Sequence, residues 1–229
     1  MSIKENLLKI IPSLPEHVTL VAVSKTKPIS DLMEAHKAGQ RIFGENKIQE
    51  MTEKWEQMPK DIQWHMIGHI QTNKVKFMAP YVSLIHGVDS LKLLEEINKQ
   101  ALKNNRIIDC LLQIHIAEEE TKFGLDEDEL NNLLTSESFK NLNNIKIVGL
   151  MGMATFTDNQ SQIKKEFEHL KSIFDSKKSL SIKNCQLSIL SMGMSGDYKL
   201  AIACGSTMIR IGSSIFGGRS PLTPEGGIA

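Results

Sequence analysis

The stretch VTLVAVSKTKP, residues 18–28, joins a buried strand to a lysine at its end. Its first six residues are apolar or β-branched, which is typical of a strand that is buried on both faces. The strand then runs into Ser24 and Lys25, followed by a turn that ends at Pro28. Burying an ammonium group without a partner is costly, and burial that lowers its pKa makes it a nucleophile. Lys25 therefore either extends along the apolar surface to reach water or serves as a nucleophile.

The composition excludes several classes of protein. The chain has 229 residues, with 27 Lys and Arg against 27 Asp and Glu. This balance lacks the basic surface that binds nucleic acid or anionic membranes. No apolar run approaches the ~20 residues of a membrane-spanning helix, and the charged N-terminus is unlike a signal peptide. We therefore expect a protein that binds neither nucleic acid nor membranes. We also expect it to act as a monomer.

The cysteines indicate the compartment. Cys110, Cys185 and Cys204 are odd in number and far apart in the sequence. Such spacing fits reduced thiols better than a disulfide framework, so we expect a cytoplasmic protein. None of the three forms the C-x-x-C pair of a structural zinc site.

Short apolar runs alternate with helix-like stretches along the chain. Eight runs are rich in strand-forming residues: VTLVAVSK (18–25), RIFGEN (41–46), QWHMIG (63–68), SLIHGVD (83–89), DCLLQIHIA (109–117), IKIVGLMGMA (145–154), QLSILSMG (186–193) and MIRIGSSIFG (208–217). Residues 90–105 and 159–178 have helical spacing, and Ser30 or Asp31, Ser90 and Asp126 are candidate helix caps. Alternating β and α segments predict parallel strands with helical crossovers. Eight such units favour an α/β fold, a single (β/α)8 TIM-like barrel that forms one domain over residues 1–229. An open, doubly wound sheet is the alternative.

In a barrel of this kind, functional residues follow the carboxyl ends of the strands. Polar residues collect where the predicted strands end: Lys25, Glu45, Asn46, His65, His69, His86, Asp89, His115, Ser191 and Arg210. His65 and His69 have the spacing of a zinc-binding helix. In a strand, however, residues four apart lie ~13 Å from each other, which is too far for one metal ion. We therefore predict no metal site.

Two loops rich in glycine and serine lie near the C-terminus. The first is MGMSGD, residues 192–197, and the second is GSSIFGG, residues 212–218. Small residues let backbone N–H groups approach an anion, and the loops after strands seven and eight of such barrels often bind phosphate. Ser195, Ser213 and Ser214 could add hydroxyl donors. Ordinary tight turns are the alternative reading.

Arg210 lies inside the last predicted strand, where an arginine is unusual unless it has a partner. It either pairs with a carboxylate on a neighbouring strand or donates hydrogen bonds to a ligand in the barrel mouth. A strand-end lysine, a phosphate-binding pair of loops and an inward arginine together suit an aldehyde cofactor with a phosphate group. Pyridoxal 5'-phosphate (PLP) is such a cofactor.

Eight motifs, in order along the chain, resemble those of the PLP homeostasis proteins. They are VAVSKTKP, FGENKIQE, WHMIGHIQTNK, IHGVDS, ETKFGL, GLMGMA, LSMGMSGD and GSTMIRIGSSIFG, and they span residues 21–217. The resemblance implies a (β/α)8 barrel similar to the N-terminal domain of alanine racemase. It also implies a protein of vitamin B6 homeostasis that binds PLP without established catalytic turnover.

The resemblance also implies roles for individual residues. By matched motif, Lys25 resembles the lysine that holds PLP as a Schiff base, and Asn46 resembles a neighbour of that bond. Ser195, Gly212 and Ser213 resemble the residues that bind the phosphate. Arg210 resembles the arginine that faces the pyridine nitrogen, and Met192 and Met194 are expected to pack near the ring.

Two arguments favour a carrier or regulator over an enzyme. The alanine racemases continue into a further β domain that supplies a second acid–base group, and only 13 residues follow Phe216 here. Arg210 would also leave the ring nitrogen unprotonated, because a guanidinium only donates hydrogen bonds. We therefore expect a protein that can bind amino acids as an external aldimine, with little or no turnover. The alternatives are a weak racemase or lyase, and a phosphate-binding barrel enzyme without PLP.

Overall fold

The computed structural model describes residues 2–119, 122–179 and 182–218, and its eight parallel strands close into a barrel. Each strand pairs with the next along the chain, and the eighth pairs with the first, where Val21 lies opposite Arg210. The strands are β1 (Thr19–Val23), β2 (Ile42–Glu45), β3 (Gln63–Met66), β4 (Leu84–Val88), β5 (Ile108–Gln113), β6 (Ile145–Met151), β7 (Cys185–Met194) and β8 (Met208–Ile211). The predicted (β/α)8 barrel is thus confirmed, and the alternative prediction of an open, doubly wound sheet is wrong.

Helices cover the outside of the barrel. They are α1 (Ile3–Ile10), α2 (Ile29–Lys37), α3 (Ile48–Gln57), α4 (Val75–Met78), α5 (Leu91–Lys103), α6 (Glu127–Thr135), α7 (Glu137–Lys140), α8 (Gln160–Lys178), α9 (Tyr198–Ala203) and α10 (Ser213–Phe216). Short 3-10 helices span Ile11–Ser13 and Thr72–Lys74. The predicted domain extends to residue 229, and residues 219–229 lie outside the described part of the chain, as do Glu120 and Thr121 of the ETKFGL motif.

Two of the predicted helix caps are confirmed. The Ser90 hydroxyl accepts a hydrogen bond from the Leu93 N–H, and the Asp126 carboxylate accepts one from the Glu129 N–H. The prediction of a cap at Ser30 or Asp31 is wrong, because α2 begins directly after Pro28, whose extended backbone serves as the cap position.

Two predicted strands end four or more residues before the ends of the apolar runs that suggested them. The fifth run extends to residue 117, but β5 ends at Gln113, and Ile114 forms only an isolated bridge with Leu125. The eighth run extends to residue 217, but β8 ends at Ile211 and the following Ser213–Phe216 segment is helical. Apolar runs alone do not distinguish a short buried helix from a strand.

Side chains alternate between the inside and the outside of the barrel. One apolar cluster contains Val21, Leu84, Leu111, Met151 and Met208, and it fills the barrel interior. The neighbouring strand residues pack in a larger cluster against the helices. Because the strand repeat is two residues, Val23 and Lys25 continue the inward face of β1 toward the barrel mouth.

Candidate functional site

A cleft of about 690 Å³ opens at the carboxyl ends of the strands. Six of the seven predicted site residues line it: Lys25, Asn46, Ser195, Arg210, Gly212 and Ser213. They come from the ends of β1, β2, β7 and β8, so the barrel brings together residues that are far apart in the sequence.

The seventh predicted residue, Met192, lies elsewhere. Its side chain is fully buried in the apolar cluster between the barrel and the helices. Ser191, one residue earlier in β7, points inward, so Met192 points outward. Met194 lines the cleft instead, because Gly193 has a positive φ of 98° and the strand register shifts between Ser191 and Met194.

Arg210 projects into the barrel and is almost fully buried, with 4% of its surface exposed. Its Nη1 donates to the Ser191 backbone oxygen at 3.0 Å and to the Ser191 Oγ at 2.6 Å, and its Nη2 donates to the Gly152 oxygen at 3.1 Å. Burial lowers the pKa of Arg210 to about 10, against the opposing effect of Asp197. The guanidinium therefore keeps its charge at neutral pH and is held rigidly at the wall of the cleft.

A chain of hydrogen bonds continues from Arg210 through the barrel. His86 Nδ1 lies 3.2 Å from the Ser191 Oγ, and His86 Nε2 lies 3.0 Å from His65 Nδ1. Burial lowers the pKa of His65 to about 3, and burial together with His65 and Arg210 lowers that of His86 well below its ordinary value. Both imidazoles are therefore neutral at pH 7.

Only the first bond of this chain has a fixed direction. A guanidinium only donates, so the Ser191 Oγ accepts from Arg210. At the contacts of His86 with Ser191 and with His65, the donor is set by the tautomers of the two imidazoles. The chain adds no charge beneath the cleft, because both imidazoles are neutral.

The two glycine- and serine-rich loops meet at one wall of the cleft. The Gly212 N–H donates to the Ser195 Oγ at 3.3 Å, which joins the loop after β7 to the loop after β8. A Cβ atom on Gly212 would lie 3.1 Å from the Val23 oxygen, so a larger residue would crowd the end of β1. Ser213 lines the same cleft, whereas Ser214 lines a neighbouring cavity of about 490 Å³.

The cleft is also lined by residues for which the sequence predicts no role, although Lys122 and Phe123 belong to the ETKFGL motif. Gln113, Lys122 and Phe123 line the cleft, and the Phe123 ring stacks on His69 at a centroid distance of 4.1 Å. The segment 153–158 after β6 contributes as well. The long connections after β5 and β6 were the available signal, because loops at this end of a barrel line its site.

The described residues contain no group of three or more His, Cys, Asp or Glu side chains arranged to hold a metal ion. Within the same described part of the chain, no helix is long and apolar enough to cross a membrane.

Comparison with known proteins first defines a class. Residues 1–220 match the family model described as "Alanine racemase, N-terminal domain". An alanine racemase from Bartonella henselae shares the fold, with a TM-score of 0.70 and 16% sequence identity over 96% of this chain and 60% of that chain. The chain therefore belongs to the alanine racemase N-terminal domain class.

Closer similarities identify the family within this class. The pyridoxal phosphate homeostasis protein of Haemophilus influenzae is 38% identical over 211 residues, which cover 91% of this chain and 88% of the relative. The structure of PipY of Synechococcus elongatus PCC7942 with PLP bound has a TM-score of 0.86 and 33% identity over 94% of this chain and 100% of that chain. The chain belongs to the pyridoxal phosphate homeostasis protein family.

Proposed function

We propose that this protein binds PLP in the cleft at the barrel mouth and serves the homeostasis of that cofactor. The observation that carries the proposal is that Lys25, Arg210 and the joined loops at Ser195 and Gly212 line a single cleft. When bound, PLP supplies an aldehyde that can bond to an amine and a ring that withdraws electrons. The relatives are named for the homeostasis of this cofactor, and PipY has been solved with it.

The residues of the cleft fit the functional groups of PLP. Lys25 would hold the aldehyde carbon covalently, and Asn46 would lie beside that bond. Ser195 and Ser213 would donate hydrogen bonds from their hydroxyl groups to the phosphate, and Gly212 would leave room for it beside the Ser195 hydroxyl. Arg210 would face the ring nitrogen, and Met194, rather than Met192, would pack against the ring.

The phosphate assignment leads to the first prediction. Ser195→Ala should weaken PLP binding by about 1 to 2 kcal/mol, as expected for one lost hydrogen bond to a charged group. Pyridoxal, which lacks the phosphate, should bind the wild-type protein much more weakly than PLP does. Equilibrium titration of both ligands measures these differences. Equal affinities for pyridoxal and PLP would contradict the assignment.

We further propose that the protein has little or no catalytic turnover. Three hydrogen bonds fix the Arg210 guanidinium, which can only donate to the ring nitrogen. The ring nitrogen would then carry no proton, and the ring would withdraw electrons less strongly. Cytoplasmic location, a monomeric state and binding of amino acids stay predictions.

The second prediction concerns proton exchange. In deuterated water the PLP-loaded protein should exchange the Cα proton of added amino acids slowly, because Arg210 leaves the bound ring a weak electron acceptor. Proton NMR of alanine and other amino acids follows this exchange. Exchange or racemisation on the order of tens per second, which is an ordinary enzyme rate, would instead support the racemase or lyase alternative.

A further inference from the structure

A cluster of charged side chains lies behind the turn that carries Lys25, on the outer side of the barrel. Lys54 of α3 donates from its Nζ to Glu45 Oε1 at 2.8 Å and to Glu50 Oε1 at 2.7 Å. The side chains of Glu45 and Lys54 are 0% and 6% exposed, and that of Glu50 is 22% exposed. These three described residues are outside the lining of the PLP cleft.

The cluster contacts the backbone on both sides of Lys25. Before Lys25, the Ser24 backbone oxygen accepts from Lys54 Nζ at 2.8 Å, and the Ser24 Oγ donates to Glu45 at 2.6 Å. After Lys25, the Thr26 N–H donates to Glu50 Oε1 at 2.6 Å. The cluster therefore fixes the two residues between which Lys25 projects into the cleft.

The conformation of this turn needs such support. Thr26 has a φ of 62°, in the left-handed region that β-branched residues rarely adopt. A residue in this region persists only when the surrounding structure holds it there. A buried ion pair also contributes little to folding stability, because the free-energy cost of removing two charges from water offsets most of the energy of their attraction. A role in fixing one backbone conformation explains why the pair lies at this turn.

We propose that Glu50 and Lys54 are positioning residues for Lys25, holding the Ser24–Thr26 turn so that the lysine is directed at the aldehyde of PLP. This inference rests on the proposed function. Lys54 holds the strand side of the turn by donating to the Ser24 backbone oxygen. Glu50 holds the helix side by accepting from the Thr26 N–H, and it also forms an ion pair with Lys54. Loss of this support should weaken the bond to Lys25 without weakening the hold on the phosphate and the ring.

Two ligands separate these effects. PLP can bond to Lys25, whereas pyridoxamine 5'-phosphate has the same ring and phosphate but an amine where PLP has its aldehyde. Glu50→Ala removes the acceptor of the Thr26 N–H, and Glu50→Gln keeps an oxygen in that place. Glu53→Ala is the matched control, because Glu53 is exposed on the same helix. Where Glu50→Ala does not fold, Glu50→Asp replaces it, since its shorter side chain keeps the charge but falls short of Thr26.

We expect Glu50→Ala to bind PLP roughly tenfold more weakly, as for one lost charge-assisted hydrogen bond, and to bind pyridoxamine 5'-phosphate as the wild type does. Glu50→Gln should recover most of the PLP affinity, and Glu53→Ala should match the wild type for both ligands. An unchanged PLP affinity, or an equal loss for both ligands, would overturn the inference. A wild-type protein that binds neither ligand would refute the proposed function instead.

Discussion

Gly68→Ala is expected to destabilise the protein, whereas Gly196→Ala in the same cleft is expected to be harmless to its folding. A Cβ atom on Gly68 would lie 2.4 Å from the Asn46 oxygen and 2.8 Å from the Asn46 Cα. These are backbone atoms at the end of β2, which cannot move aside as a flexible side chain can. Overpacking of this kind costs about 3 kcal/mol at a rigid site.

Urea unfolding measures the free energy of both variants. A Cβ on Gly196 would meet no atom within 4 Å, so Gly196→Ala should stay within about 0.5 kcal/mol of the wild type. Gly68→Ala should also bind PLP more weakly, because displacement of Asn46 narrows the cleft beside Lys25. A Gly68→Ala protein with wild-type stability would show that β2 and β3 can separate freely at their ends.

Lys25→Ala is expected to have the largest effect on PLP binding. Removal of the amine removes the covalent attachment, and we expect the affinity for PLP to fall roughly 100-fold, or about 2.7 kcal/mol. Some binding should remain, because Ser195, Gly212 and Arg210 do not depend on the lysine. The Lys25→Ala variant should then bind PLP about as tightly as it binds pyridoxamine 5'-phosphate. The latter ligand cannot bond to a lysine in the variant or in the wild-type protein.

The control for this variant is Lys47→Ala. Lys47 follows the GEN motif and is exposed, so its removal changes the charge near the mouth and leaves the cleft lining intact. Lys47→Ala should bind PLP as the wild type does. An equal loss of affinity in both variants would mean that Lys25 acts only through its charge.

The barrel and the inward residues of its strands were predictable because both follow from a short sequence repeat. Alternation of strand and helix signals predicts the barrel, and the two-residue strand repeat directs Val21, Val23 and Lys25 to the same face. Arg210 stood out for a similar reason, since an arginine inside an apolar strand needs a partner. The prediction for Met192 is wrong because side chains alternate along β7, so that Ser191 points into the barrel and Met192 packs outside it.

The remaining features depend on contacts between distant segments. The pairing of His65 with His86, and of His86 with Ser191, is set by which strands lie together across the barrel interior. In the sequence, Lys54 is an ordinary residue of an amphipathic helix. Its contact with the Ser24 oxygen arises only because α3 packs behind the Lys25 turn. Such contacts arise from tertiary packing, and no local repeat in the sequence encodes them.

Covalent attachment of PLP to Lys25 is tested most directly by mapping the attachment site after reduction. The wild-type protein is loaded with PLP, reduced with borohydride, digested and mapped by peptide mass spectrometry. Reduction makes the bond between lysine and cofactor permanent, so the labelled peptide identifies the residue. We predict that the label lies on the peptide that contains Lys25, at Lys25 itself. A label found only on another lysine, or no label at all with PLP bound, would contradict the account.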